Sequence, residues 1–239
     1  MAPAHTHHHT IPAGYLCGFA SPVRNRPKLE VLDLQRREWR KRQSPKAVCK
    51  HNGFYAVKVP GIAENVVETE VLQRLETEAI PLIRRLDKEL RAFAASGGSA
   101  RQPQIGPEDL DLLAAFTAIM WVRTESVRVF GRKAAGVLVP EAMERLYPTR
   151  EAFEWGIEKA RSEGRYVGDL TFEQWNGCMT GRSGRIDFTN EFHVATMLDA
   201  GRDIYKALKR RPTSFHIAGG RAGLLVTSDA PTSVYKPSG

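Results

Sequence analysis

Long apolar runs are missing from this sequence, and so are the short signatures that mark the common enzyme classes. No stretch approaches the ~20 apolar residues that a bilayer-spanning helix needs, which argues against a membrane protein. The N-terminus lacks the charged-then-apolar order of a secretory signal, and this places the chain in the cytoplasm. Cysteine is scarce: Cys17, Cys49 and Cys178 are odd in number, far apart and in no CxxC arrangement. That fits reduced, mostly structural thiols better than a disulfide framework or a zinc knuckle. No P-loop, GxGxxG, HExxH or GxSxG is present. Gly219-Gly220-Arg221 reads as a turn and leads into no helix, so it is not a phosphate-cradling loop.

What remains is ordinary for a globular protein in bulk and uneven in detail. The 239 residues are 42% hydrophobic and 26% charged, enough for a sizeable buried core. Basic residues exceed acidic ones, 35 to 27, for a formal charge of +8. Part of the excess is clustered: Arg36, Arg37, Arg40, Lys41, Arg42, Lys46 and Lys50 form one group, Lys206, Lys209, Arg210 and Arg211 another. Such clusters attract phosphates and favour encounters with nucleic acid; the plain alternative is a solvated face of a basic protein. Stacking aromatics are few here, with only Trp39 inside the first cluster.

In chain order, residues 1–10 read as a flexible, histidine-bearing tail, and 11–239 as a single domain. The N-terminal part, 11–61, opens with Pro12 in an extended or turn entry. Leu29–Leu34 and Arg37–Gln43 then predict two short strands across a Gln35-Arg36 turn. Phe54 and Tyr55 follow on an extended segment. Residues 64–208 predict a helical core. Its first helix, about 64–95, carries Val67, Val71, Leu75, Ala79, Ile83, Leu86, Leu90 and Phe93 at three- and four-residue spacing, with a kink or break at Pro81. A central helix runs over about 107–130, started by Pro107-Glu108-Asp109 and ended at Gly131 and Gly136. Further helices are expected over about 140–163, with Thr149 as an internal N-cap, from Thr171 with Gln174 in a capping box, and from Thr189 or Asn190 to Leu208. Residues 213–231 predict a hairpin and the segment Thr227-Ser228-Asp229-Ala230-Pro231. The sum is an α+β, mostly helical protein, with a small antiparallel sheet joining the N- and C-terminal regions.

Several of these pieces, in this order, resemble an uncharacterised bacterial family, domain-of-unknown-function family 4238. Its opening pattern HHxxPxxxLxxF is matched by His8, His9, Pro12, Leu16 and Phe19. A hairpin and an S/T-x-K segment leading to a Phe-Tyr pair are matched by Leu29–Gln43, Ser44-Pro45-Lys46 and Phe54-Tyr55. Leu75-Glu76 matches a Leu-Glu pair on a long helix, Arg123-Thr124 an Arg followed by Thr or Ser, and 227–231 a TSDxP motif. The chain departs from the pattern at Ala13, where Gln is usual, and at Ala230, where Asn is usual. The resemblance implies a fold and a site location; the family supplies no settled activity.

The candidate site residues are therefore His8, His9, Glu76, Arg123 and Asp229. His8 and His9, adjacent on an extended chain, point to opposite sides, and a neutral imidazole is both a metal ligand and an acid/base near neutral pH. Asp229, at the exit of an apolar strand, is either a site carboxylate, with His9 a metal-ligand pair, or an Asx turn. Glu76 and Arg123 lie on core helices; an unpaired buried charge is expensive, so they form an inter-helix ion pair, or Arg123 receives a phosphate or carboxylate. His193 reads as a core-edge residue, His216 as a strand residue and His51 as a loop residue. Two functions follow as expectations. One is a metal-assisted or acid/base phosphoester hydrolase, nuclease-like, acting on nucleic acid or nucleotides, with a divalent metal as the cofactor to test. The other is a non-enzymatic nucleic-acid- or partner-binding accessory protein that uses Arg36, Arg37, Arg40 and Arg42.

Overall fold

A computed structural model describes residues 7–99, 101–164, 171–179 and 189–211. The C-terminal hairpin, His216, the 227–231 motif and Asp229 lie outside the described residues. The chain is mostly helical α+β, with two small antiparallel sheets among the described residues. It divides into two compact units, Met1–Val127 with Asn190–Gly239, and Arg128–Thr189.

In the first unit, β1 (His7–His9) pairs antiparallel with β5 (Lys50–Asn52), His8 opposite His51 and His9 opposite Lys50. The three histidines thus belong to a strand, although composition suggests a tail as far as residue 10. Two things hold them: ladder hydrogen bonds, and the burial of His8, Thr10 and Ile11 directly behind them. A short helix, α1 (Ala13–Leu16), follows. The second sheet has the order β2 (Ser21–Val23), β3 (Arg26–Asp33), β4 (Glu38–Gln43). Among the described residues, both sheets come from the first 52. The β3–β4 turn has no glycine because Asp33 builds it: its carboxylate accepts from the backbone N–H of Gln35 and of Arg36, each at 3.1 Å, as an Asx turn does.

Helix α2 (Gln73–Ala95) is preceded, without a break, by a π-helical run over Val67–Leu72. Pro81 lies inside α2. Helix α3 (Pro107–Val122) presents Phe116, Ala118, Met120 and Val122 to the core. It stops at Arg123, and α4 (Glu125–Leu146) begins two residues later, its first turn capped by Thr124 Oγ1, which accepts from Val127 N–H. The central helix is therefore shorter than the apolar pattern suggests, and Gly131 and Gly136 lie within α4 instead of ending α3. Helix α7 (Asn190–Lys209) packs along α3. The contact is close at Gly201, where a β-carbon would meet Ile119 Cδ1 at 3.2 Å.

Two apolar clusters result. One gathers Tyr55, Val67, Leu72, Val122, Val194 and Met197; the other gathers Ile11, Leu16, Leu29, Ala79, Phe116 and Met120. Each fully buried large side chain contributes about 1.5–3 kcal/mol.

In the second unit, α5 (Arg150–Ser162) starts on Thr149, whose hydroxyl accepts from Ala152 N–H. Before α6 (Phe172–Met179), Thr171 and Gln174 complete the expected capping box reciprocally. Phe153, Phe172, Trp175 and Tyr147 form an aromatic cluster. No helix among the described residues is long and apolar enough to cross a membrane.

Candidate functional site

The sharpest feature of the first unit is a charge where charge is expensive. Arg123 is 1% exposed, and a buried guanidinium persists only when its donors are matched. Three of its N–H groups are. Nη1 donates to Glu76 Oε1 at 2.7 Å, Nε donates to the Tyr55 hydroxyl at 3.2 Å, and Nη2 donates to the His9 carbonyl. The Tyr55 hydroxyl proton faces the carbonyls of His9 and Arg123, both at 3.4 Å. Burial works against the Arg123 charge, but Tyr55 and Glu76 more than offset it, so its pKa stands above the ordinary value. Burial likewise pushes the Tyr55 phenol up to about 12, against the pull of Arg123; the ring stays neutral and able to donate. The break between α3 and α4 makes this possible, because it frees Arg123 from helical continuity at the point where its guanidinium meets three other elements.

His8 locks the same corner from the other side. It is 1% exposed, its Nδ1 accepts from Tyr55 N–H at 2.8 Å, and its ring stacks on Tyr55 at 5.5 Å. The alternation expected of adjacent strand residues sends His9 to a half-buried position. Burial first, then the Lys50 charge, lower its pKa, while a hydrogen bond to the Val48 backbone opposes them. Its Nδ1 is buried without a hydrogen-bond partner. A neutral imidazole has one ring nitrogen with a free lone pair.

Glu68, which pattern reading does not single out, completes the group. Eight α-helical residues would set Glu68 and Glu76 about 80° apart. The π-helical run, in which Gln73 N–H donates to Glu68 C=O across five residues, removes part of that offset. Both carboxylates then lie within the field of Arg123. Glu68 Oε2 is buried and has no hydrogen-bond partner. Burial pushes the carboxyl up to about 7; Arg123 opposes this and Glu76 adds to it.

Four of the five sequence candidates, His8, His9, Glu76 and Arg123, thus meet in one network, joined by Tyr55 and Glu68. Asp229 lies outside the described residues. Among the described residues no three His, Cys, Asp or Glu side chains gather as a metal-ligand set. The four hairpin arginines are elsewhere: Arg36, Arg37, Arg40 and Arg42 are all exposed on the β3–β4 hairpin.

Residues 7–239 match the family described as protein of unknown function, DUF4238. The chain belongs to that family. No curated protein and no solved structure matches it. The His-His opening of this DUF4238 member and its Arg-Thr pair, 114 residues apart, are the two ends of one hydrogen-bond network. The Phe-Tyr pair supplies the ring between them.

What the network can do chemically follows from its unmatched atoms. Arg123 is engaged on three sides and sealed from solvent, so it orders and tunes the site and is not presented to a ligand. Two buried atoms without a hydrogen-bond partner, His9 Nδ1 and Glu68 Oε2, are on side chains that reach partly to the surface. One is an imidazole nitrogen; the other belongs to a carboxyl whose pKa burial pushes up to about 7.

Proposed function

We propose that the chain is an acid/base hydrolase of phosphoester bonds, acting on nucleic acid or nucleotides, with His9 and Glu68 as its proton-transfer groups. The observation that carries this reading is that His9 Nδ1 and Glu68 Oε2, on half-buried side chains beside the Arg123 network, are buried without a hydrogen-bond partner. Buried polar atoms without partners are rare in proteins and cluster where chemistry is done. Their protonation states are complementary. His9, lowered from its ordinary pKa, is neutral at neutral pH and takes the proton of an attacking water on Nδ1. Glu68, pushed up to about 7, is still partly protonated there and gives a proton to the departing oxygen. The basic excess of the chain supports a phosphate-bearing substrate.

The sign of each requirement gives the pH profile. Rate rises with pH as His9 loses its proton and falls as Glu68 loses its own, so a bell is expected with its maximum between the lowered His9 value and about 7. The test is hydrolysis of DNA, RNA and nucleotides by wild type, His9→Gln and Glu68→Gln, with and without Mg²⁺ or Mn²⁺, which also reads any metal dependence. Removal of one limb of the bell by each substitution supports the assignment. Wild type without turnover under any of these conditions rejects it.

A second reading is favoured by a different observation, the exposed arginines of the β3–β4 hairpin. In it the chain binds nucleic acid or an acidic partner without chemistry, and the Arg123 network is purely structural. Salt-sensitive binding that is lost in Arg36→Gln/Arg37→Gln, without any hydrolysis, is its signature.

A further inference from the structure

The hairpin has two unlike faces. Val31 and Asp33 of β3 point one way, with Leu29 buried beneath them. Arg40, opposite Val31, belongs to that face too: it forms an ion pair with Asp33, itself only 22% exposed. Its charge is spent within the protein. The other face carries Leu32 and Trp39, directly opposite each other in the register and 43% and 62% exposed. Directly paired residues share a face, and their side chains touch across the strands. Leu34, 79% exposed, extends the apolar strip into the turn. Arg36 and Arg37 stand exposed in the same turn, and Lys41 follows Trp39 by two residues on β4, which alternation sets on the Trp39 face about 6.6 Å along the strand.

A flat aromatic ring left in solvent beside exposed cations is how sequence-tolerant single-strand binders are built. The ring stacks an unpaired base while the cations follow the backbone. A duplex hides its bases' faces and offers the ring nothing to stack on.

We propose that the Leu32–Trp39 face of the hairpin is a single-stranded nucleic-acid platform, with Trp39 stacking a base and Arg36, Arg37 and Lys41 contacting phosphates. This rests on the hairpin contacting nucleic acid and adds which face does so and which strandedness it selects. Arg40, turned away and paired, takes no part.

The full chain is titrated with oligo-dT, oligo-U and a duplex of equal length at two salt concentrations, reading fluorescence anisotropy, with anionic vesicles as a separate probe. Wild type is expected to prefer either single strand to duplex. Trp39→Ala weakens single-strand binding about tenfold, the usual loss for one stacked base, and leaves the salt slope unchanged. Arg36→Gln/Arg37→Gln weakens binding and flattens the slope. Comparison of oligo-dT with oligo-U tells DNA from RNA. Circular dichroism of Trp39→Ala, matching wild type, excludes misfolding. Binding that falls in the arginine variant but is untouched by Trp39→Ala, or that favours duplex, overturns the stacking face while leaving a basic surface in place. Absence of binding to any oligonucleotide, or binding to vesicles alone, overturns both.

Discussion

Arginine appears in two settings in the first unit, and the contrast between them separates structure from recognition. Arg123 is 1% exposed, with Glu76, Tyr55 and the His9 carbonyl on three of its donors. Arg36 and Arg37 stand in a solvent-facing turn on a hairpin of which only the far face is covered. The first arginine is costly to bury and therefore fully matched, so it fixes geometry and tunes its neighbours. The others cost little to hold and remain available, so they can recognise a ligand. The same side chain is scaffold in one place and surface in the other, and burial with its partners decides which.

The largest effect is expected at Arg123. Arg123→Ala leaves Glu76 and the His9 carbonyl without their donor, and loss of one partner from a buried pair costs about 3–5 kcal/mol. The low end is expected because Glu76 is 22% exposed and recovers water. Chemical denaturation reads it; an unchanged midpoint would show that the network stabilises nothing. Tyr55→Phe is next. It keeps the ring stacked on His8 and removes only the hydroxyl that receives Arg123 Nε, at about 1–3 kcal/mol.

A pH series sharpens the same region. Glu68 binds its proton more tightly folded than unfolded, so its contribution is present below the ordinary carboxyl range and lost as pH rises toward about 7. His9 has the opposite sign: its lowered pKa makes stability fall as pH drops through the ordinary histidine range. Glu68→Gln should abolish the first slope only, and His9→Gln the second only, both read from denaturation midpoints across pH. The smallest effect belongs to the hairpin. Arg36→Gln/Arg37→Gln should shift stability by no more than about 0.5 kcal/mol, even where it abolishes binding.

How much of this is legible in the sequence differs between the parts. The mostly helical α+β class, the long α2, the Thr171–Gln174 capping box and the bounds of α7 follow from periodicity and end signals that tertiary contacts do not override. The pairing of Glu76 with Arg123 follows from the cost of a lone buried charge. The place of the site's last carboxylate does not. Glu68 sits among other acids on a helix read with a period of 3.6, and the π-helical run that rotates it toward Arg123 has no clear sequence signature. The stop of α3 at Arg123 was detectable, since Thr124 precedes Glu125 as an N-cap would, but the apolar pattern continuing through Val127 and Phe130 hides it. His7–His9 as a strand depends on a partner, Lys50–Asn52, that lies 43 residues away in register and is invisible to local patterns. Tyr55 stands out only as half of a Phe-Tyr pair, because its role depends on a hydroxyl reached from elements distant in the chain.

Proton transfer at this site requires Glu68 to be left outside the hydrogen bonds that lock Arg123. Side-chain carboxyl NMR of Glu68 through a pH titration of the folded protein tests this directly. A midpoint of about 7 is expected, returning toward the ordinary carboxyl range in Val67 or Leu72 variants that open the helix to water. A wild-type midpoint in the ordinary range, near 4.3, would mean that Glu68 is solvated or matched, and the proposed proton-transfer pair would not exist.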